Sequence, residues 1–314
     1  MNVQAPFGFV TGCHAGDKFM VQATLASLRY YCPHVPVCLT VDGEVDVSDL
    51  EQEYQPIMLR IEELPSLEMR KTLGRSFHAK QAAMWEGPFE FYVWLDADAI
   101  VWGDFTEQIR TNLDFQILWN EISVPAKAQK TPSWLPHFYF DPEKLREFDP
   151  EFDWRGHAYF SAGVYAARRN AFDYDDYCRI KKLADTEPGL FAWGDMGMLN
   201  YIVHSLGQRG KLKTGLADLQ HIPDHHGRAE FEQDCAGAGW HFPKKVRRPR
   251  IGHFCGHKPF TFDRQAYSRP FTIARLEHHR RKHSEIGSWL AILNEECCVY
   301  AEKIKRRIRQ PATR

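Results

Sequence analysis

The chain has 314 residues, 44% of them apolar and 26% charged, with a formal net charge of −1. That length can bury a sizeable core and suits one domain with appended elements, while near-neutrality excludes a general polyanion binder, so no nucleic-acid partner is expected. The eight cysteines form no Cys-x-x-Cys pair, and no apolar run reaches membrane-spanning length or follows a charged start as a signal peptide would, so the chain reads as cytoplasmic, with peripheral membrane contact as the other option.

Phe7 to Thr11 reads as a strand running into Gly12-Cys13-His14. Asp17 is placed to N-cap a helix through Leu25, Leu28 and Tyr31, stopped at Cys32-Pro33. Val37 to Val41 follows as a second buried strand, closed by Asp42-Gly43. This βαβ unit predicts a parallel sheet. The first loop lacks the glycine spacing of a dinucleotide fingerprint, and no Walker sequence occurs. Asp42 reads either as a turn residue or as an acceptor for a base or ribose. Ser76 then starts a helix that carries Lys80 and ends at Gly87-Pro88.

Phe91-Tyr92-Val93-Trp94-Leu95-Asp96-Ala97-Asp98 is the most informative stretch. A short aromatic and β-branched run reads as a buried strand, and it ends in carboxylates at i and i+2. In an open α/β sheet the carboxyl ends of strands face the ligand crevice. Hard oxygen ligands there suit Mg²⁺ or Mn²⁺ shared with a phosphate-bearing substrate; an acidic turn with no ligand is the alternative.

Beyond it we expect a short helix near 104–111 and a strand over Phe115–Trp119. Residues 120–157, rich in Pro, Trp, Phe and His, read as a lid or acceptor-facing loop. Tyr159 to Ala167 reads as one strand with Gly163 at its centre, where a ligand or another backbone comes close. A helix near 171–185 follows, and Trp193-Gly194-Asp195 opens another. His221 and His225 are four apart, but Pro223 breaks the helix that a zincin pair needs, so the His-rich 220s read as a polar or acceptor-facing loop.

In His253-Phe254-Cys255-Gly256-His257-Lys258-Pro259 the imidazole can ligate a divalent metal, the glycine lets backbone approach a phosphate, and the lysine can neutralise one. The tail carries a helical apolar stripe at Ile286, Trp289, Leu290, Leu293, Cys297, Tyr300, Ile304 and Ile308, and from Arg275 onward ten Lys and Arg stand against five Glu. It reads as a terminal helix docked on the body; the other reading is a basic amphipathic segment, residues 284–309, on an anionic membrane.

Together these stretches resemble the nucleotide-sugar glycosyltransferases of the GT-A fold, and most of all the glycogenin and bacterial lipopolysaccharide galactosyltransferase group, family 8 of the sequence-based classification. The resemblance runs to about residue 260. Val10-Thr11 is similar to the family's nucleoside-holding opening. Lys80 lies sixteen residues before Asp96, where the family carries a basic residue near the donor phosphates. Leu95-Asp96-Ala97-Asp98 resembles its Leu-Asp-x-Asp metal motif, and Phe160-Ser161-Ala162-Gly163-Val164 its Phe-Asn-Ser-Gly-Val strand beside the donor sugar. Asp195-Met196-Gly197-Met198-Leu199-Asn200 is similar to Asp-Gln-x-x-Leu-Asn, and the His253–Pro259 stretch to His-Phe/Tyr-x-Gly-x-x-Lys-Pro. The chain departs from these patterns at Ser161, at Met196 and by one residue between Gly256 and Lys258.

The resemblance implies a Rossmann-like α/β domain over residues 1–265, with a mixed, mostly parallel sheet flanked by helices, and a basic amphipathic helical extension over 266–314. It implies Mn²⁺ (or Mg²⁺) on Asp96, Asp98 and His253. Nucleotide and phosphate contacts would come from Thr11, Gly12, Lys80, Ala97, Gly256 and Lys258. Donor-sugar contacts would come from Ser161, Gly163 and Asp195, with Asp195 also catalytic. The implied reaction moves a sugar from a nucleotide-diphosphate donor, first of all a UDP-sugar, to a hydroxyl on a carbohydrate, lipid-linked or protein acceptor. Rival readings are an Asp-x-Asp phosphatase, a nucleotidyltransferase and a nucleotide-sugar-binding protein without turnover.

Overall fold

The computed structural model describes residues 3–119, 122–223, 228–262 and 265–309. The first half runs β1 (Ala5–Cys13), α1 (Lys18–Tyr31), β2 (Val37–Val41), α2 (Ser48–Tyr54), β3 (Ile57–Arg60), α3 (Leu67–Leu73), α4 (Ala82–Glu86), β4 (Phe89–Leu95), β5 (Ala99–Trp102), β6 (Phe115–Ile117) and β7 (Ile122–Ser123). The second half adds α5 (Trp134–Phe138), α6 (Pro142–Phe148), β8 (Ala158–Tyr159), β9 (Val164–Arg168), α7 (Tyr174–Thr186), α8 (Asp195–Gln208), β10 (Thr214–Leu216), β11 (Gln220–His221), α9 (Arg228–Cys235), β12 (Arg250–His253), α10 (Gln265–Arg280) and α11 (Glu285–Arg309).

Seven strands form the main sheet in the order β10-β6-β9-β4-β1-β2-β3. β3, β2, β1 and β4 are mutually parallel, and β9 is antiparallel to both its neighbours. Side chains alternate across a strand, so β4 feeds two cores. Phe91, Val93 and Leu95 pack with α1 on one face, and Tyr92 and Trp94 pack on the other. Burial on both faces is why the sequence there is continuously apolar.

A second sheet, β11-β12-β5, sets the site. β5 leaves directly from the Asp96–Asp98 turn and pairs antiparallel with β12, in a register that places His253 opposite Ala99. Phe254 N–H donates to the Asp98 carbonyl at 2.9 Å, which ties the acidic turn to the end of β12.

Several expectations change. The Phe115 strand stops at Ile117, and the helix expected near 104–111 is one 3₁₀ turn at Thr106–Gln108. Ser76 does cap, accepting from His78 N–H, but Lys80 lies on a 3₁₀ segment, Phe77–Gln81, ahead of α4. The stretch from Tyr159 to Ala167 is not one strand. It breaks into β8 and β9 around a turn that contains Gly163. Asp17 occupies the N-cap position of α1 but makes no side-chain cap, because its carboxylate is committed to ion pairs.

α10 packs on α1 and α11 on α10. The terminal helix docks, but by only part of the stripe read from the sequence: Trp289 meets Trp240 and the Tyr300 ring meets Phe260. Ile286, Leu290, Leu293, Tyr300 and Ile304 are exposed, while Ser288, Ile292 and Glu296 turn inward. The docked face is organised by Arg275 of α10, fully buried, whose guanidinium pairs with Glu296 at 2.6 Å and Glu295 at 2.8 Å. Glu296 also accepts the Thr261 N–H at 2.7 Å. Leaving those buried charges unpaired costs more than exposing a few aliphatic groups. Among the described residues no helix is long and apolar enough to cross a membrane.

Candidate active site

The acidic turn is held from below. Thr24 Oγ1 on α1 lies 2.9 and 2.8 Å from the carbonyl oxygens of Ala97 and Ala99. Asp96 N–H donates to the Gly163 carbonyl at 2.8 Å, and Trp94 Nε1 donates to Asp96 Oδ1 at 2.7 Å. Both carboxylates are thereby aimed at the end of β12. His253 Nε2 lies 3.3 Å from Asp98 Oδ1 and 4.0 Å from Asp96 Oδ2. One ligand atom from each of the three residues lies within 4.8 Å of the others, and among the described residues no other such cluster of His, Cys, Asp or Glu occurs. Two carboxylates and an imidazole form a donor set that fits Mn²⁺, with Mg²⁺ as the harder alternative.

Gly163 is part of this geometry. A Cβ on it would stand 2.2 Å from His253 Cε1, 2.6 Å from Nε2 and 2.7 Å from Asp96 Oδ2. The turn between β8 and β9 thus brings a bare backbone against two of the three residues of the cluster. Ser161 Oγ accepts the Gly163 N–H at 3.4 Å across the same turn.

A buried charge relay lies beside the cluster. Lys80 Nζ is 3.0 Å from Asp195 Oδ2 and 3.6 Å from Asp96 Oδ1, and it donates to the Ala162 carbonyl at 3.2 Å. Burial alone would push this ammonium down; the charges of Asp195 and Asp96 more than offset it, and its pKa is raised. Asp195 opens α8, is only 4% exposed, and also accepts from Gln81 Nε2 at 3.2 Å. Its pKa is raised, first by burial and also by the like charge of Asp96, against the pull of Lys80. Asp98 goes the other way: burial pushes it up, but the hydrogen bond and charge of His253, with the charge of Lys258, bring it below the usual carboxylate value.

The remaining expected contacts distribute unevenly. Thr11, fully buried, has a hydroxyl with no hydrogen-bond partner among the described residues, and Gly12 faces the Trp94 ring. The Ala97 side chain points into the core under the turn. Gly256 and Lys258 lie on an exposed loop, where Lys258 Nζ pairs with Asp17 at 3.2 Å, itself paired with His14 at 2.6 Å. Asp42 Oδ1 accepts the Arg75 N–H at 2.9 Å, and it lines a cleft of about 380 Å³ with Ile61, Glu62, Arg70, Lys71, Gly74 and Arg75. Much of the 130s–150s is core: Leu135, Tyr139, Phe140 and Trp154 are buried, while Phe138 and Phe148 are exposed. His221 sits buried on β11; His225 and His226 lie outside the described residues.

Sequence reasoning missed several supports. Asn200 on α8 makes a two-point bond with Phe160, accepting its N–H at 3.0 Å and donating to its carbonyl at 2.8 Å, which fixes the Gly163 turn to the helix of Asp195. Trp193 holds a left-handed backbone, φ +53°, and is 64% exposed as a residue, yet its Nε1 is pinned to the His137 carbonyl at 2.8 Å. A bulky residue held there is an outlier of the kind found at ligand sites.

No protein-family model matches the chain, and no curated protein matches it in sequence. Solved structures do match in fold. A crystal structure of the galactosyltransferase LgtC in complex with donor and acceptor sugar analogs superposes with a TM-score of 0.52 at 12% identity, over 87% of this chain and 95% of that one. The bifunctional glycosyltransferase WbbM, in its apo form, gives 0.50 at 12% identity, over 89% of this chain and 52% of that one. The glycosyltransferase GlyE of Streptococcus pneumoniae TIGR4 gives 0.50 at 14% identity, over 100% of this chain and 66% of that one. A mostly parallel α/β sheet with helices on both faces, superposing on these proteins over most of its length, has the GT-A glycosyltransferase fold that the sequence motifs led us to expect.

Proposed function

We propose that the chain is a metal-dependent glycosyltransferase that uses a nucleotide-diphosphate sugar, first of all a UDP-sugar, as donor. The observation that carries this reading is the convergence of Asp96, Asp98 and His253 at the carboxyl end of β4 on this fold. A divalent cation held there would supply Lewis-acid charge to the leaving diphosphate. Lys80, kept protonated by its two carboxylates, adds a fixed positive charge beside that position. Lys258 and the Gly256 backbone, on the exposed loop after β12, would close on the diphosphate from that side. A preorganised donor of this kind is worth about 3 kcal/mol of barrier, roughly a hundredfold in rate.

Asp195 sits at a helix N-terminus and is buried, so its carboxylate is positioned rather than mobile. It serves to hold a donor-sugar hydroxyl and to offset positive charge as the glycosidic bond breaks. Ser161 and Gly163, in the turn that Asn200 ties to α8, would line the donor-sugar side. The nucleoside would lie along Gly12, at the end of β1 above the buried Thr11, with Asp42 and the cleft it lines as the base-facing end. The exposed Trp193, two residues before Asp195 in sequence, suits the apolar face of a carbohydrate acceptor.

The test is turnover. Purified protein is incubated with UDP-glucose, UDP-galactose and UDP-N-acetylglucosamine in Mn²⁺, and released UDP is measured with and without a panel of oligosaccharide acceptors. Metal-dependent UDP release that is abolished in folded Asp96→Ala and Asp98→Ala supports the reading. Release unchanged in either variant contradicts it, and metal-dependent UDP binding with no release makes the chain a donor-binding protein instead.

A further inference from the structure

Gln220 is buried at 1% exposure on β11, the strand that pairs in parallel with β12. Its backbone N–H is fixed to the Leu118 carbonyl at 2.7 Å. Its side-chain amide ends 2.7 Å from Nδ1 of His253, on the ring edge opposite the acidic pair. The amide and Asp98 thus occupy the two ring nitrogens, and a ring that carries one hydrogen can donate to only one of them.

With the amide nitrogen facing the ring, Gln220 donates to Nδ1 and the ring proton sits on Nε2, directed at Asp98 3.3 Å away. In that arrangement Nε2 is a donor and cannot ligate. With the amide turned by half a rotation, Oε1 accepts from Nδ1–H, and the Nε2 lone pair faces the two carboxylates. Amide nitrogen and oxygen occupy nearly the same volume, so the turn costs no space. The Gln220 oxygen has no hydrogen-bond partner among the described residues, so no bond on that side opposes the turn.

We propose that Gln220 is a positioning residue that sets the tautomer of His253. Its amide acts as a two-way latch, with one orientation closing the site by a His253–Asp98 hydrogen bond and the other opening Nε2 to a divalent cation. The inference rests on the metal reading of Asp96, Asp98 and His253. A partner on the non-ligating nitrogen of a metal-bound histidine is a general requirement, and its removal costs about 10- to 100-fold in metal affinity.

Two near-isosteric variants separate the latch from simple packing. Glu in place of Gln220 offers the ring an acceptor; Met fills the space and offers none. Mn²⁺ binding is measured by titration calorimetry on the full chain, with thermal unfolding as the folding control. The tautomer is read by long-range ¹H–¹⁵N NMR of ¹⁵N-histidine protein, with and without diamagnetic Mg²⁺. We expect Gln220→Met to weaken Mn²⁺ binding at least tenfold and Gln220→Glu to retain it. The His253 proton should move from Nε2 to Nδ1 when Mg²⁺ is added to the wild type, and should already be on Nδ1 in metal-free Gln220→Glu. Gln220→Met binding as tightly as wild type, or a folded Gln220→Glu falling tenfold, would overturn the latch alone. If the wild type takes up no Mn²⁺, the metal reading falls and the latch falls with it.

Discussion

Gly163→Ala places one methyl group where the site has no room. The added carbon would stand 2.2 Å from His253 Cε1, 2.6 Å from Nε2 and 2.7 Å from Asp96 Oδ2. Ordinary carbon contacts begin near 3.5 Å, so the ring and the turn must part by about 1.3 Å. The imidazole has little freedom to yield. It is 2% exposed, it is held at Nδ1 by Gln220, and its backbone is locked in register against β5. Overpacking of this kind costs about 1–3 kcal/mol of stability. The effect on the cluster is larger, because ligand positions tolerate only about 0.2 Å. Displacing one of the three proposed ligands by about six times that amount removes it, and we expect Mn²⁺ affinity to fall at least tenfold, which is about 1.4 kcal/mol. The assay is calorimetric Mn²⁺ titration beside urea unfolding. Ser161→Ala, two residues away and without a clash, is the control and should stay near wild type. Gly163→Ala with wild-type Mn²⁺ affinity would refute the claim that this turn forms a wall of the metal site.

Three further perturbations follow from the charges. Lys80→Met leaves Asp195 buried without its cation beside Asp96; urea unfolding should show a loss of about 3–5 kcal/mol, partly recovered in the double variant with Asp195→Asn, and a loss below about 1 kcal/mol would contradict the relay. Arg275→Met strips the fully buried partner of Glu295 and Glu296; limited trypsin digestion should release α11 faster than from wild type, and an unchanged digestion rate would show that the helix docks by other means. His204 and His278 are each driven down to about 3, chiefly by burial and then by a neighbouring histidine. Their folded pKa values lie below the unfolded value near 6.5, so the unfolded chain takes up protons first. The stability they contribute is full above pH 6.5 and drains as pH falls toward 3, by about 2 kcal/mol for each ring at pH 5. His204→Phe should flatten the pH 5–7 stability profile by that amount, and an unaltered slope would contradict it.

The parts of the molecule legible in sequence share one property: their signal is local. The β1–α1–β2 unit shows in hydrophobic period and punctuation, and Asp96 and Asp98 show as charges that end an apolar strand. Strand ends were less clear, because the Phe160–Gly163 turn has the apolar character of the strands around it and is set by Asn200, forty residues on. Lys80 could be placed near phosphates by resemblance, but its pairing with Asp195 joins residues 115 apart that no pattern connects. Gln220 carries no sequence signal at all; only the β11–β12 register brings it to His253. The α11 stripe was right only in part, at Trp289 and Tyr300, because periodicity finds apolar residues without saying which face meets the body. There the buried Arg275 chose the face.

The most direct test of the account is nucleotide binding coupled to metal. UDP, GDP, ADP and CMP are titrated calorimetrically into wild-type protein and Asp98→Ala, each with and without Mn²⁺. UDP is expected to bind wild-type protein only when Mn²⁺ is present and not to bind Asp98→Ala. Binding of UDP that is indifferent to Mn²⁺ and to Asp98, or no metal-dependent binding of any of the four, would contradict the assignment of Asp96, Asp98 and His253 as a donor site.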